Sequence, residues 1–426
     1  MSPSSAILDD LKARGLIHDS TDLALMAAHL DEGMATLYCG FDPTADSLHL
    51  GNLIPLLVLR RFQSFGHRPL VLAGGATGMI GDPGGRSDER TLLDLDVLHA
   101  NTAAVSRQLE RFLDMSADLV NGAELVNNWD WTSQMTAIGF LRDVGKYLTV
   151  NSMMARDSVR SRLERESGIS FTEFSYMLLQ ANDFAELRRT HDCTLQVAGS
   201  DQWGNITAGI ELIRKRDGVQ VHGLTAPLVL RADGTKFGKS SGQNLWLDAA
   251  KTSPYQMYQY LLGVDDGDVE RFLLQMTLLD VDRCLDIATA HSAEPHLRRG
   301  QRELARQVVG LVHGTDALGP IEEASEVIFA AGIRSAGPEA WELLAGELPT
   351  TRLSRGEWSD DVDLLGLLAS TGVAPSKGEV RRNLAGYRAN GVQLSERSTA
   401  GFADLLAGRY LLLQRGKANH HVVVVE

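Results

Sequence analysis

Ala35-Thr-Leu-Tyr-Cys-Gly40 is a short, mostly apolar run ending in glycine, the pattern of a strand covered on both faces. Apolar residues then recur at helical spacing (Leu53, Ile54, Leu57, Val58, Leu59, Phe62), with Arg60 and Arg61 between them. Arg68-Pro-Leu-Val-Leu-Ala-Gly74 is a second buried strand. Strand, helix, strand in this succession predicts a right-handed parallel crossover. Open parallel sheets bind ligands beyond the carboxyl ends of their strands, and Tyr38, Asp42, His49 and Asp82 are expected at such ends. Pro55 fits the intervening helix only in its first turn, where a missing N–H costs nothing. That places His49 at or just before the helix N-terminus.

The rest of the chain extends this plan. Gly75 to Gly85 is a glycine-rich loop, and Asn127 to Gln180 has helical apolar spacing at Phe140, Val144, Tyr147 and Leu148. Gln196-Val-Ala-Gly-Ser200 predicts a return strand, followed by Asp201-Gln202-Trp203-Gly204 at its end. Thr252 to about Ala330 predicts helices throughout. Gly332 to Glu357 is richer in glycine, proline and charge and is expected to contain a linker. Short helices (Leu364 to Ser370, Glu379 to Ala385) and short strands close the chain at Val422 to Val425. The expected class is α/β: a Rossmann-like parallel-sheet domain, a helical domain and a small α+β domain.

Composition narrows the function classes. An apolar content of 44% and a charged content of 23% over 426 residues describe an ordinary globular protein with room for two or three domains. Three scattered cysteines are too few for a disulfide scaffold or a zinc cluster, so a reducing cytoplasm is the expected compartment. Residues 1–20 lack a basic segment followed by an apolar core, and no apolar run is long enough to span a bilayer. Neither a secretory signal nor a membrane partner is expected. A net charge of −14 argues against nucleic-acid binding by the whole surface. Between Pro375 and Lys417, however, eight basic residues stand against three acidic ones, a local face suited to a phosphate backbone.

Two short segments carry the chemistry. In His49-Leu50-Gly51-Asn52, a histidine and backbone amides at a helix N-terminus can donate to a phosphate, and Gly51 lets a nucleotide approach the backbone. A histidine alone at such a place is more often a cap. Lys236-Phe237-Gly238-Lys239-Ser240 puts two lysines on a glycine-loosened loop, which alone would suit a solvated turn equally well. Together they can hold a nucleoside triphosphate from two sides. The chain has no GxxxxGK[ST] phosphate loop, and Gly81-Asp-Pro-Gly-Gly85 is not a dinucleotide motif. In Thr172 to Asp183, Tyr176, Gln180 and Asp183 share one helix face, a polar stripe fit for a small zwitterion.

These residues resemble those of the bacterial-type tyrosyl-tRNA synthetases, class I aminoacyl-tRNA synthetases, over essentially the whole length. The HIGH motif corresponds to His49–Asn52 and the KMSKS motif to Lys236–Ser240. The Tyr38–Leu48 flank, the Tyr176 helix and Gly199-Ser-Asp-Gln-Trp-Gly-Asn205 match further blocks, and Gly372–Arg382 resembles the start of an S4-type RNA-binding domain. The resemblance implies a class I catalytic domain over 1–250, with a dimerisation insertion at about 127–190 and a KMSKS-type loop at 234–242. A helical anticodon-recognition domain (251–335), a linker (336–357) and an S4-like domain (358–426) would follow.

The resemblance also implies roles for individual residues. Tyr38 and Asp183 would bond the phenolic hydroxyl of tyrosine; Asp82, Tyr176 and Gln180 its ammonium; Gln202 would lie near its carboxylate. Asp42, Gly199 and Asp201 would contact the ammonium side or the ribose. Thr44, His49, Gly51, Lys236, Lys239 and Ser240 would hold the phosphates, with Arg86 and Arg90 as a mobile basic pair. ATP with Mg2+ would be a substrate, without a protein-held metal, and cognate tRNA and a second copy of the chain would be partners. Tryptophanyl-tRNA synthetase shares this fold and chemistry; Tyr38 with Asp183, and the S4-like tail, favour tyrosine. Asn52 stands where many relatives have a second histidine, Arg86 where lysine is frequent, and Asn182 where an aromatic is common.

Overall fold

The computed structural model describes residues 3–84, 94–164, 168–231, 234–235, 237–240, 243–329, 332–416 and 419–426. The chain divides into two compact units, one of 1–253 with 260–312, the other of 254–259 with 313–426. The division falls inside the helical stretch 251–335.

Five parallel strands form the sheet of the first unit: β1 (Thr36–Phe41), β2 (Arg68–Ala73), β3 (Glu124–Asn127), β4 (Cys193–Gly199) and β5 (His222–Ala226), in the order β3-β2-β1-β4-β5. Chain order runs outward in both directions from β1, so the crevice beyond the ends of β1 and β4 is the topological switch point. β3 is an edge strand of four residues that apolar patterning did not reveal.

The helix Leu53–Ser64 joins β1 to β2 and buries Leu53, Ile54, Leu57, Val58, Leu59 and Phe62. Pro55 is its third residue, within the first turn. Arg61, which falls between the apolar positions in the sequence, is itself buried. Its guanidinium bonds the Thr277 carbonyl and lies 3.6 Å from Asp10, so the charge is compensated inside the fold.

Asn127 to Gln180 is a run of short helices leading to one long helix, Phe171–His191. Ser170 caps its start by accepting the Glu173 N–H, and Asp192, at φ 54°, ends it. Its buried side (Met177, Ala181, Phe184, Ala185, Leu187) joins Tyr38, Leu70 and Leu72 of the sheet and Ala208 and Leu212 of the helix Trp203–Asp217 in one core. Each large apolar side chain buried there contributes about 2 kcal/mol. This packing fixes the polar stripe of the long helix against the crevice.

The second unit carries another five-stranded sheet. Val392–Gln393, Tyr387–Ala389, Tyr410–Arg415 and Asn419–Val425 pair antiparallel, and Thr350–Leu353 adds in parallel to the last strand. The segment 336–357, expected to be a linker, thus holds a helix, Pro338–Glu347, and a strand of this sheet. The helices Leu364–Ser370 and Lys377–Arg382 cover it, around a core that includes Trp358, Leu368, Val380, Tyr387, Leu413 and Val423.

Candidate active site

A cavity of about 690 Å³ opens beyond β1 and β4. Tyr38, Asp42, Thr44, His49, Gly51, Asp82, Tyr176, Gln180, Asp183, Gly199, Asp201 and Gln202 all line it. Arg86, Arg90 and Lys236 lie outside the described residues. Lys239 and Ser240 form a short strand paired with Gln243–Asn244, and Asn244 lines the cavity.

Tyr38 lies within β1, not at its end, with its ring 5.3 Å from Phe184. Its hydroxyl is buried and has no hydrogen-bond partner among the described residues. Burial, and then the nearby Asp183 charge, push its phenol well above the usual range, so it remains a donor. Asp183 is itself buried, accepting from Trp131 Nε1 at 2.9 Å and Asn128 Nδ2 at 3.0 Å. Burial lifts its carboxyl to about 7 against those two stabilising bonds. Gln196, the cross-strand neighbour of Tyr38, also lines the cavity, and its buried Oε1 likewise has no hydrogen-bond partner among the described residues.

A continuous hydrogen-bond chain runs from here to the middle of the cleft. Asn128 bonds Asp183 and donates to Thr77 Oγ1 at 2.9 Å; Thr77 donates to Asp42 Oδ1 at 2.7 Å; Tyr176 donates to Asp42 Oδ2 at 2.8 Å. Asn128 Oδ1 also accepts the Ala76 N–H at 2.7 Å, tying the loop after β2 to the end of β3. Burial, then the Asp42 charge, keep the Tyr176 phenol protonated. Opposite, Asp82 accepts from Gln202 Nε2 and from the Gly84 N–H at 2.8 Å, while Asn205 Nδ2 donates to Gln202 Oε1 at 2.9 Å. Carboxylates and amide oxygens therefore dominate this part of the cleft, which suits an ammonium group.

At the other signature, His49 caps the turn Leu50–Asn52 that opens the helix Leu53–Ser64. Its Nδ1 accepts the Gly51 N–H at 3.1 Å, and Asn52 Oδ1 accepts the His49 N–H at 3.0 Å. With Nδ1 as acceptor, the neutral ring carries its proton on Nε2, the kind of donor a phosphate oxygen needs. The chain leaving the lysine loop runs antiparallel beside this segment: Leu50 N–H bonds the Leu245 carbonyl and Leu247 N–H the Leu48 carbonyl, both at 2.8 Å. The two signatures, far apart in sequence, are thus joined through the backbone. At Gly199, any Cβ would sit 2.8 Å from Asp201 Oδ1, so glycine allows that carboxylate to fold back beside the strand end.

The sequence reading missed Asn128, Trp131, Thr77 and Gln196, and carried Asn205 only as the end of a matched block without a role. Asn128 and Trp131 follow β3, and recognising that strand would have marked its carboxyl end as part of the same crevice. Thr77 and Gln196 are single polar residues with no spacing to distinguish them.

Comparison with known proteins agrees with this geometry. The chain matches the tRNA synthetases class I (W and Y) over residues 30–330. It is 49% identical over 423 residues to a tyrosine–tRNA ligase of Opitutus terrae, covering 98% of this chain and 99% of that one. A tyrosine–tRNA ligase of Mycobacterium tuberculosis is also 49% identical, over 418 residues and 97% of each chain. Among solved structures, a C-terminally truncated mitochondrial tyrosyl-tRNA synthetase of Aspergillus nidulans superposes with a TM-score of 0.69 at 31% identity. That match covers 75% of this chain and 93% of that one. With the histidine signature lining a cleft at the switch point of a parallel sheet and the lysine signature tied to it through the backbone, the chain belongs to the tyrosine–tRNA ligases of the class I tRNA synthetases.

Proposed function

We propose that this chain activates L-tyrosine with ATP, forming tyrosyl-adenylate and pyrophosphate, and then transfers tyrosine to the 3′ end of tRNA(Tyr). The observation that carries the amino-acid assignment is the unpartnered Tyr38 hydroxyl beside the buried Asp183. A phenol donates one hydrogen bond and accepts another, so it can donate to Asp183 while accepting from Tyr38. An indole N–H donates without accepting and leaves Tyr38 orphaned. Phenylalanine leaves both groups unpaired, at a cost of about 1–3 kcal/mol for each buried group.

In this reading Asp82, Tyr176 and Gln180 hold the ammonium and Gln202 lies beside the carboxylate. Asp42, Gly199 and Asp201 serve the ammonium side or the ribose. Thr44, His49, Gly51, Lys236, Lys239 and Ser240 face the phosphates, assisted by Arg86 and Arg90. Tyrosine's carboxylate attacks the α-phosphorus, the bond to the β-phosphate oxygen breaks, and charge grows on the departing pyrophosphate. The enzyme's task is positioning and charge stabilisation, with no covalent enzyme intermediate. Mg2+ enters as part of the nucleotide substrate. The three cysteines are buried and free, consistent with a reducing cytoplasm, where the protein should fractionate. No helix among the described residues is long and apolar enough to cross a membrane.

The catalytic role falls to 1–250, anticodon recognition to 251–335 and RNA binding by an S4-like fold to 358–426, whose sheet also takes a strand from 336–357. A homodimer is supported by exposed apolar side chains within 127–190: Ile138 and Phe171 are about three-quarters exposed, and Leu141, Val150, Met154 and Leu163 lie open beside them in sequence. Sedimentation at micromolar concentration should give twice the chain mass; a monomer would count against the dimer.

Amino-acid-dependent exchange of labelled pyrophosphate into ATP tests the central reading. Exchange with tyrosine, but not phenylalanine or tryptophan, is expected. Tryptophan-driven exchange would reassign the substrate, and no exchange with any of the three would remove the catalytic reading.

A further inference from the structure

We propose that Tyr260 is a positioning residue that fixes the lysine-bearing loop over the histidine signature and so sets the rate of tyrosine activation. The proposal rests on the reading of the cleft as a tyrosine-activating site. Tyr260 stands on the helix Pro254–Leu262 and does not line the cavity. Its hydroxyl accepts the Gly238 N–H at 2.9 Å and Arg231 Nη2 at 3.0 Å, gathering both ends of the segment that carries Lys236 onto one oxygen. Its ring packs at 5.0 Å from Phe237, which in turn lies 4.4 Å from Phe272.

Gly238 shows why this oxygen matters. It is buried and adopts φ +87°, a conformation that favours glycine. Its carbonyl accepts the Leu245 N–H at 2.8 Å, and the Leu245 carbonyl accepts the Leu50 N–H at 2.8 Å. A Cβ at 238 would lie 3.4 Å from Leu50 Cβ and 3.7 Å from the Gly51 nitrogen. Direct bonds therefore run from Tyr260 through the loop to the residue after His49. Without the hydroxyl, the Gly238 N–H is a buried donor with no acceptor, and the segment must shift to satisfy it. Such a shift moves the lysines relative to the triphosphate, where small displacements cost rate, and leaves the tyrosine pocket untouched.

Tyr260→Phe keeps the ring packing and removes the oxygen. In tyrosine-dependent pyrophosphate exchange, its kcat should fall on the order of tenfold, with KM for tyrosine unchanged and Tm lowered by no more than the loss of one buried hydrogen bond accounts for. In a Lys239→Ala background the same substitution should lose most of its effect, because it acts through the loop. A Y260F enzyme with wild-type kcat overturns the proposal. So does an equal loss with and without Lys239, or a loss matched by weaker tyrosine binding, since either marks a general structural role. A wild-type chain that fails to exchange at all defeats the reading of the cleft, a result separate from any property of the variant.

Discussion

At Asp183, burial and hydrogen bonding act in opposite directions. Removal from water lifts the carboxyl to about 7, while the Trp131 and Asn128 donors favour its ionised form. An aspartate raised in the fold stabilises it below the ordinary value near 3.8 and loses that contribution as pH rises through about 7. A bound phenol supplies a third donor to the ionised form. Tyrosine affinity should therefore rise as pH climbs through about 7 and level off above it. Asp183→Asn should bind more weakly and without that slope; equilibrium titrations across the range would show it, and an identical slope in the variant would refute the assignment. Asp183 itself was legible as part of a polar helix stripe. Its two donors were not, because they arrive from a segment more than fifty residues earlier.

At the scale of elements, the turn Leu50–Asn52 converts a sequence motif into geometry. The Gly51 N–H holds His49 Nδ1, and a Cβ at 51 would lie 2.9 Å from His49 Cε1. Alanine suits this helical backbone better than glycine, by roughly 0.5–1 kcal/mol. Gly51→Ala should therefore leave Tm unchanged or slightly raised while displacing the imidazole. Its kcat for pyrophosphate exchange should approach that of His49→Ala, about a hundredfold down, corresponding to roughly 3 kcal/mol for one preorganised donor. Tyrosine affinity should stay near wild type. Full activity in G51A would mean that the ring position is not set here.

The basic tail belongs to the scale of the whole molecule, and the charge count overstates it. Lys377 pairs with Asp363, Arg397 with Asp404, Arg415 with Glu379 and Arg409 with Glu426, while Lys417 lies outside the described residues. Arg381 and Arg382 are exposed together at the end of the helix Lys377–Arg382 and are the strongest candidates for phosphate contacts. Replacing both with alanine should raise KM for tRNA in aminoacylation and flatten its dependence on salt by roughly one unit of slope per lost contact. Tyrosine-dependent exchange should be unaffected, and a matching fall in exchange would place their effect elsewhere.

Apolar periodicity and glycine placement by themselves determined the β1–helix–β2 crossover, the position of Pro55, and the two signature segments, because those signals are local and repeat with the backbone. What covers an apolar face, and which polar groups meet, is a matter of packing. Tertiary structure alone made Arg61 an interior group, turned the segment 336–357 into a helix and a sheet strand, and divided the helical stretch between two units. It alone linked Asp183, Asn128, Thr77, Asp42 and Tyr176 into one chain and set Gly238 beside Leu50. A sequence shows that a side chain needs a partner; which partner it finds depends on strands and helices that come together only in the folded core.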